Sequence, residues 1–570
     1  MKSHWLNQLG DWNPQLLREI KGRLKTRNIL LAMSLSVLGQ FVLLIYAQSQ
    51  LPSNNALSYN YSHKYCTIQV FGQHLKCLGD ELGNIIINWQ LWYLDVFTWL
   101  SIIGFFAFLV GGTYLLISDL STEERRDTLN FIRLSPQSPQ SILWGKMLGV
   151  PILLYVVVLL AIPLHLWLGF AAKIPSTMIF SFYAIMFAAG FFYYSGALLF
   201  SLIGSWLGGF QAWLGSGAVL GFLIFSKEVL HRNVLSDNPL VLWKLINPYY
   251  LVPHSSVSST YLSDNPLLSK FHWFSEPIGM VFLATVCFTL LIYAIGSYFI
   301  WQSLQRCFRD SHITMLSKRQ SYILTTCFAI ITIGCANWQD LVFGQYYNYD
   351  NYGTLYENIA GLLFLNFALF LYLIAALNPH RQTLQDWTRY RHSYHFEKLG
   401  NKSLIQDLIW GEKSPGTLAI ALNAIIAITG LSGFILVSKI DISNKITALI
   451  SLAFCGTLAV TYAALAQILL FMKNEQRLFW ATGGVGAVIV LPLFLSILFS
   501  PSGNNSFIWL FSIAAPLRVL FFSRNYSLSF DNYVIAFVGH LIIVGLLVFQ
   551  LTRILKKAGE SSTKAMAVKN

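Results

Sequence analysis

Residues Met147–Phe170 read MLGVPILLYVVVLLAIPLHLWLGF. The stretch contains no Asp, Glu, Lys or Arg, and His165 is its one ionisable side chain. A run of about 20 predominantly apolar residues is long enough to cross a bilayer as a helix. A helix is the form such a run takes there, because hydrocarbon offers its backbone groups no other partners. Working outward from this run, the chain shows eleven more of the same kind. The first six spans are predicted at Ile29–Ala47, Leu91–Ile117, Met147–Phe170, Thr177–Gly204, Gly208–Phe225 and Pro277–Trp301. The second six are predicted at Tyr322–Trp338, Ile359–Leu377, Leu418–Val437, Ile446–Met472, Leu478–Phe499 and Val534–Leu551. Phe507–Phe522 is also apolar, but Pro516 and Arg518 interrupt it, so it reads as an interfacial or re-entrant piece. The fold class is therefore an all-α polytopic membrane protein of about twelve transmembrane helices. They form two six-helix halves, 1–310 and 311–570, preceded by an interfacial helix. Each half has two spans, a long loop, three spans, a second long loop and a last span, a layout that suits a transporter built from internal repeats.

Composition agrees with this reading. Of 570 residues, 55% are hydrophobic, 15% aromatic and only 11% charged, against about 25% charged in a soluble domain. A soluble enzyme, a disordered chain and a disulfide-rich secreted module are excluded. The net charge of +13 could indicate nucleic-acid binding, but its distribution argues otherwise. With the N-terminus in the cytoplasm, 27 of the 38 Lys and Arg residues fall in inner segments and 11 in outer ones. That is the bias of a membrane protein's cytoplasmic loops, and it is spread over six loops rather than gathered into one basic patch. No nucleic-acid partner is expected. The expected location is a bacterial plasma (inner) membrane, with both termini cytoplasmic.

Two segments on the basic side carry most of the information. Asn13–Arg27 reads as an interfacial helix capped by Asn13, with Pro14 at its first position. Leu16, Leu17, Ile20 and Leu24 form its apolar stripe, and Arg18, Lys21, Arg23, Lys25 and Arg27 face anionic lipid. The second segment, from Ser121, reads STEERRDTLNFIRLSPQSPQSILWGK. Glu123 and Glu124 are read in the first turn of a helix, where carboxylates suit the dipole. Ser135-Pro136 breaks that helix, and Ser138-Pro139 starts another. A short amphipathic helix held between two spans is a part that a soluble partner can push.

This loop resembles the intracellular loop of the ABC type 2 (type V exporter) permeases, which runs E-x-E-R-G-T-L, a Ser-Pro or Thr-Pro break, then I-L-x-G-K. The matching residues are Glu123, Arg126, Thr128, Leu129, Pro136, Ile142, Leu143, Gly145 and Lys146. The sequence departs at Arg125, where the family often has an acid, and at Asp127, where it often has Gly. Asn13-Pro14…Leu17-Arg18-Glu19 resembles the family's connecting helix. Asn247-Pro248-Tyr249-Tyr250 matches it before span six. In the second half, Glu412…Thr417 repeats the Glu123…Thr128 spacing and suggests a second coupling loop. The resemblance implies a permease whose loop, with Glu123 and Glu124, docks on a separate ABC ATPase subunit, present in two copies. It further implies that ATPase closure switches access, with ATP and Mg held by that partner and no cofactor in this chain. The substrate is not readable.

The chain has no ATPase loop of its own. Gly145-Lys146 is followed by Met147, and Gln140 stands where the phosphate-cradling motif needs its first Gly. No enzymatic activity and no metal site are expected. Two other classes compete with the exporter. An ion-gradient-driven transporter would use the intramembrane ionisable groups Asp95, His165 and His540. A membrane-embedded transferase or assembly factor would need a surface constellation, and His392, His395 and Glu397 match no catalytic spacing. Cys66 and Cys77 flank a predicted hairpin with its turn at Gly72-Gln73; they form a disulfide or remain two free thiols.

Overall fold

The computed structural model describes residues 8–52, 63–71, 74–79, 84–231, 238–253, 271–310, 312–343, 351–394, 404–474, 476–499, 508–522 and 530–560. The Gly72-Gln73 turn, His395, Glu397, Lys564 and Lys569 lie outside these residues.

Eleven helices among the described residues are long and apolar enough to cross a membrane. This is the architecture of an all-α polytopic membrane protein. The twelfth predicted span, Tyr322–Trp338, corresponds to a helix over Lys318–Gly334 that is 17 residues long. The interrupted segment near Phe507–Phe522 forms a 3-10 turn, Ile508–Phe511, and an eight-residue helix, Ala515–Phe522. At 1.5 Å per residue that helix is about 12 Å long, too short to cross.

The chain divides into two compact units. The first comprises Met1–Asn233, Trp243–Lys270 and Ile278–Arg309; the second comprises Val234–Leu242, Phe271–Pro277 and Asp310–Asn570. In the first unit the order is α1 (Pro14–Arg23), α2 (Thr26–Ser49), a hairpin of β1 (Ile68–Phe71) and β2 (His74–Cys77), α3 (Trp89–Phe106), a π-turn (Ala107–Gly111) and α4 (Gly112–Arg125). Then follow α5 (Thr128–Arg133), α6 (Pro139–Gly149), α7 (Ile152–Ala171), α8 (Ser176–Ile203), α9 (Gln211–His231), α10 (Val241–Leu245) and α11 (Phe282–Arg309). Helix α8 is the centre of this unit: α4 and α11 pack on it, and 61% of its apolar window is buried. Helices α2 and α7, which pack on each other, are each only 17% buried by protein. Their remaining apolar surface suits lipid, since lipid tails are as apolar as Leu.

The second unit runs α12 (Lys318–Gly334), α13 (Asn351–Leu377), α14 (Arg381–Tyr394), α15 (Leu404–Trp410), α16 (Thr417–Val437), α17 (Ile442–Leu470), α18 (Arg477–Phe499), α19 (Ala515–Phe522) and α20 (Phe530–Gly559). Helix α17 is its centre, packing against α13, α16, α18, α19 and α20, and 67% of its window is buried. Small buried residues make this possible. Ala448, Ser451, Cys455, Ala459 and Ala463 recur at helical spacing and let neighbouring backbones come close. The units share a pairing plan: α2 packs on α7 as α12 packs on α16, and α8 pairs with α4 and α11 as α17 pairs with α13 and α20.

The three predicted intramembrane ionisable groups are all hydrogen-bonded. Asp95 is 3% exposed and accepts from Tyr65 Oη at 2.7 Å, with Lys64 Nζ at 2.5 Å. His165 uses both ring nitrogens, on Ser101 Oγ and Tyr183 Oη, each at 2.7 Å. His540 Nε2 donates to the Leu510 carbonyl at 2.8 Å. Above Asp95 the hairpin pairs Ile68 with Cys77, and Cys66 and Cys77 are joined by a disulfide with Cα atoms 5.5 Å apart.

Candidate functional site: a charged clamp and an apolar knob

The span-two helix does not stop at the membrane boundary. From Trp89 to Arg125 it covers 37 residues, or about 55 Å at 1.5 Å per residue, well beyond a hydrocarbon core of about 30 Å. This corrects the reading of Glu123 and Glu124 as the first turn of a new helix. They stand in the last turn of α4, where the helix dipole is unfavourable to acids. What offsets it is a set of bases brought from elsewhere in the chain.

Lys146, on α6, is fully buried. Its Nζ lies 2.7 Å from Asp119 Oδ2, 2.7 Å from Glu123 Oε2 and 3.7 Å from Glu19 Oε1. Arg18 pairs with Glu123 and Glu19, and Arg23 pairs with Asp119 and Glu19. Three carboxylates thus meet three bases with no net charge. The carboxylate oxygens of Glu19, Asp119 and Glu123 converge within 4.8 Å, close enough to hold a cation; the Lys146 ammonium already fills that place. Buried charges are held only when paired and hydrogen-bonded. Here the pairing joins α1, α4 and α6 into one rigid piece.

The backbone makes the approach possible. Asn13 caps α1, accepting from Leu16 N at 3.0 Å, and its Nδ2 donates to the Ser141 carbonyl at 2.8 Å. A Cβ on Gly145 would lie 2.8 Å from Leu16 N, and one on Gly149 would lie 2.5 Å from Glu19 Cβ. Gly145 and Gly149, one turn apart on α6, therefore form the surface on which α1 lies. The buried face of α1 is Gln15, Leu16 and Glu19, which differs from the predicted stripe of Leu16, Leu17, Ile20 and Leu24. The helix ends at Arg23; Lys25 caps the next one and Arg27 lies within it. Of the predicted lipid-facing bases, Lys21, Lys25 and Arg27 are exposed, while Arg18 and Arg23 turn to the clamp.

Beyond Arg125 the chain turns sharply. Asp127 adopts φ 55°, ψ 9°, the left-handed region that Asp and Asn tolerate and Gly prefers. This is the position at which the resembling family often has Gly. The Thr128 hydroxyl donates to the Glu123 carbonyl at 3.0 Å, and α5 follows for six residues. Leu129 and Ile132 anchor it at 1% and 6% exposure, and the Arg133 guanidinium stacks over Phe308. Phe131 and Leu134 point the other way, 79% and 85% exposed. Arg125, Arg126, Asp127, Asn130 and Pro136 are exposed around them. Glu124 is half-buried beside this turn; burial raises its carboxyl above the usual range, against the opposing pull of Arg133. Ser138 then caps α6, accepting from Ser141 N at 3.2 Å. Helix α6 carries Met147 and ends at Gly149, so span three begins only after Pro151, at Ile152.

Sequence reasoning named Glu123, Leu129, Gly145 and Lys146 but missed Phe131, Asp119 and Glu19. The pairs Arg18–Glu123 and Arg23–Asp119 are 105 and 96 residues apart, and no local pattern announces them. Ile142 and Leu143 are buried in α6. Asn247 is buried too. Its Nδ2 donates to the Leu223 carbonyl and Ser226 Oγ, while Tyr193 and Tyr293 donate to the Ile246 carbonyl, so the Asn-Pro-Tyr-Tyr stretch ties α8, α9 and α11 together.

The second predicted coupling loop is built differently. Glu412 is exposed and Thr417 opens α16. The buried cation there is Lys318, 3% exposed, donating to the Leu408 carbonyl, Ser414 Oγ and the Pro415 carbonyl at 2.6, 2.6 and 3.1 Å. Carbonyls and a hydroxyl satisfy it where carboxylates satisfy Lys146. Comparison of the chain with known protein families, with curated proteins and with solved structures finds no match.

Proposed function

We propose that this chain is the membrane-embedded permease of an ATP-driven exporter, energised by a separate ATPase that docks on the loop between spans two and three. The observation that carries the reading is the α5 knob. Phe131 and Leu134 stand out from a charged surface, on a helix rigidly mounted through α4 and the clamp. Exposed apolar anchors rimmed by charge mark a protein interface, and a push on them is delivered directly to spans two and three. On this reading Glu123 and Lys146 hold the platform rigid, and the docking contact belongs to Phe131 and Leu134. The basic side, with both termini, faces the cytoplasm of a bacterial cell, where ATP is available. The hydrogen-bonded state of Asp95, His165 and His540 gives an ion-driven carrier no free relay group.

The test is copurification from native membranes. The wild-type chain should carry two copies of a nucleotide-hydrolysing subunit, counted by quantitative mass spectrometry. A Phe131→Asp/Leu134→Asp variant should lose the associated ATP hydrolysis by about a hundredfold, in line with two interface anchors. An unchanged level, or no such subunit with the wild type, would sink the proposal.

A further inference from the structure

The π-turn at Ala107–Gly111 interrupts span two, and such turns recur at functional sites. The Phe108 carbonyl accepts from Tyr194 Oη at 2.7 Å. Gly112 leaves room for that ring, since a Cβ there would lie 2.1 Å from the hydroxyl oxygen. The next residue, Thr113, is 1% exposed and its Oγ1 has no hydrogen-bond partner. A helical Thr commonly returns its hydroxyl to the carbonyl one turn back, as Thr98 and Thr289 do at 2.8 and 2.9 Å. Thr113 does not, and it lines a cavity of about 390 Å³ among α4, α8, α9 and α11.

Tyr193, Gly196, Gly215, Ala218 and Ile300 also line this cavity, and no charged side chain does. The Tyr193 hydroxyl is already committed to the Ile246 carbonyl. A charged ligand would lose its hydration with no counter-charge in return. Ordered water would need two to four polar partners per molecule, and one threonine hydroxyl does not supply them. An apolar cavity of about 150 Å³ takes benzene, so by proportion this one takes roughly fifteen non-hydrogen atoms. Largely apolar walls with a single free polar group are what a small-ligand site needs.

We propose that this cavity binds a neutral, mainly apolar molecule whose one hydroxyl or carbonyl is oriented by Thr113 Oγ1. This deepens the exporter reading by naming a substrate class, and it rests on that reading only for the ligand's being the transported species. A free long-chain alcohol and the ester-bearing chain of a neutral lipid share this chemistry.

The test is photolabelling of the purified full chain in phosphatidylcholine nanodiscs, without ATPase or nucleotide. The probe is a diazirine-bearing twelve-carbon alcohol. It should crosslink saturably to the stretches 192–200 and 211–219. Dodecan-1-ol should compete about tenfold better than dodecane, the value of one hydrogen bond, and dodecanoate should not compete. Thr113→Val should erase that preference. A Cβ at Gly196 meets nothing within 4 Å, so Gly196→Phe should fill the cavity and abolish saturable labelling. Gly217→Phe, whose Cβ also meets open space and which does not line the cavity, should leave labelling intact. Competition by dioctanoylglycerol as strong as by dodecan-1-ol identifies a lipid chain as occupant; competition by the alcohol alone identifies a free small molecule. Non-saturable labelling over all apolar faces, or full labelling of a folded Gly196→Phe variant, overturns the site. Because no ATPase is present, a failed docking test leaves this result standing, and a failed labelling test leaves the docking proposal standing.

Discussion

At the scale of single residues, Lys146 decides the most. It is fully buried among Asp119, Glu123 and Glu19, so its removal leaves carboxylates with too little positive charge in a place water hardly reaches. Breaking a buried pair from one side costs about 3–5 kcal/mol, more than the net worth of the pair. Lys146→Met is therefore expected to lower stability by about that amount in denaturant titration of the detergent-solubilised protein. A loss below about 1 kcal/mol would show that the carboxylates are solvated after all. His380 gives a residue-scale prediction in pH. Its Nε2 lies 2.5 Å from Arg477 Nη2, its ring faces His312, and Arg381 follows it in sequence. An arginine can only donate, so Nε2 accepts and the ring is neutral. Burial, then Arg477 and His312, hold its pKa below the usual value. A group with a depressed folded pKa gives its full stabilisation above the unfolded value, about 6.5 for His, and loses it as pH falls below that. Hydrogen exchange in α14, corrected for intrinsic rates, should be faster at about pH 5.5 than at about pH 7.5. His380→Gln should remove the difference.

At the scale of elements, the contact between α1 and α6 is the joint on which the platform depends. Gly149 admits Glu19 and Gly145 admits the first turn of α1, a small-xxx-small surface of the kind that brings helices close. Gly149→Val should push α1 away and open the clamp. The expected cost is about 1–3 kcal/mol, the usual range for overpacking, read as faster hydrogen exchange over Pro14–Arg23. Unchanged exchange there would mean the ion pairs alone hold α1. This joint was half legible in the sequence. Asn13-Pro14 announces a helix start, and Ser135-Pro136 and Ser138-Pro139 announce breaks, because caps and prolines act within a few residues. Gly145-Lys146 was legible only as a motif. Its use depends on Glu19 and Asp119, which approach from distant segments, and the same distance hid the outward face of α5.

At the scale of the whole molecule, the apolar runs made most spans readable, because a bilayer demands the same length and hydropathy of each. The helix starting at Lys318 came out shorter than its apolar run, with Trp338 beyond its end. The two units could not be delimited from the sequence, because each borrows chain from across a linear boundary. Phe271–Pro277 belongs to the second unit: Phe274 N donates to the Gly334 carbonyl at 2.8 Å, and its ring meets Trp338, which meets Phe434. Phe274→Ala is expected to destabilise the second unit by about 1–3 kcal/mol, the ordinary range for trimming a partly buried side chain. Hydrogen exchange should rise in α12 and α16 and stay unchanged in α8 and α11, and a rise throughout would mean that the units do not unfold separately. Finally, the long rod of span two is a lever. From the π-turn to Arg125 it measures roughly 24 Å at 1.5 Å per residue. A tilt of about 10° at that pivot would therefore sweep its tip through about 4 Å, enough to carry a side chain from one neighbour to the next.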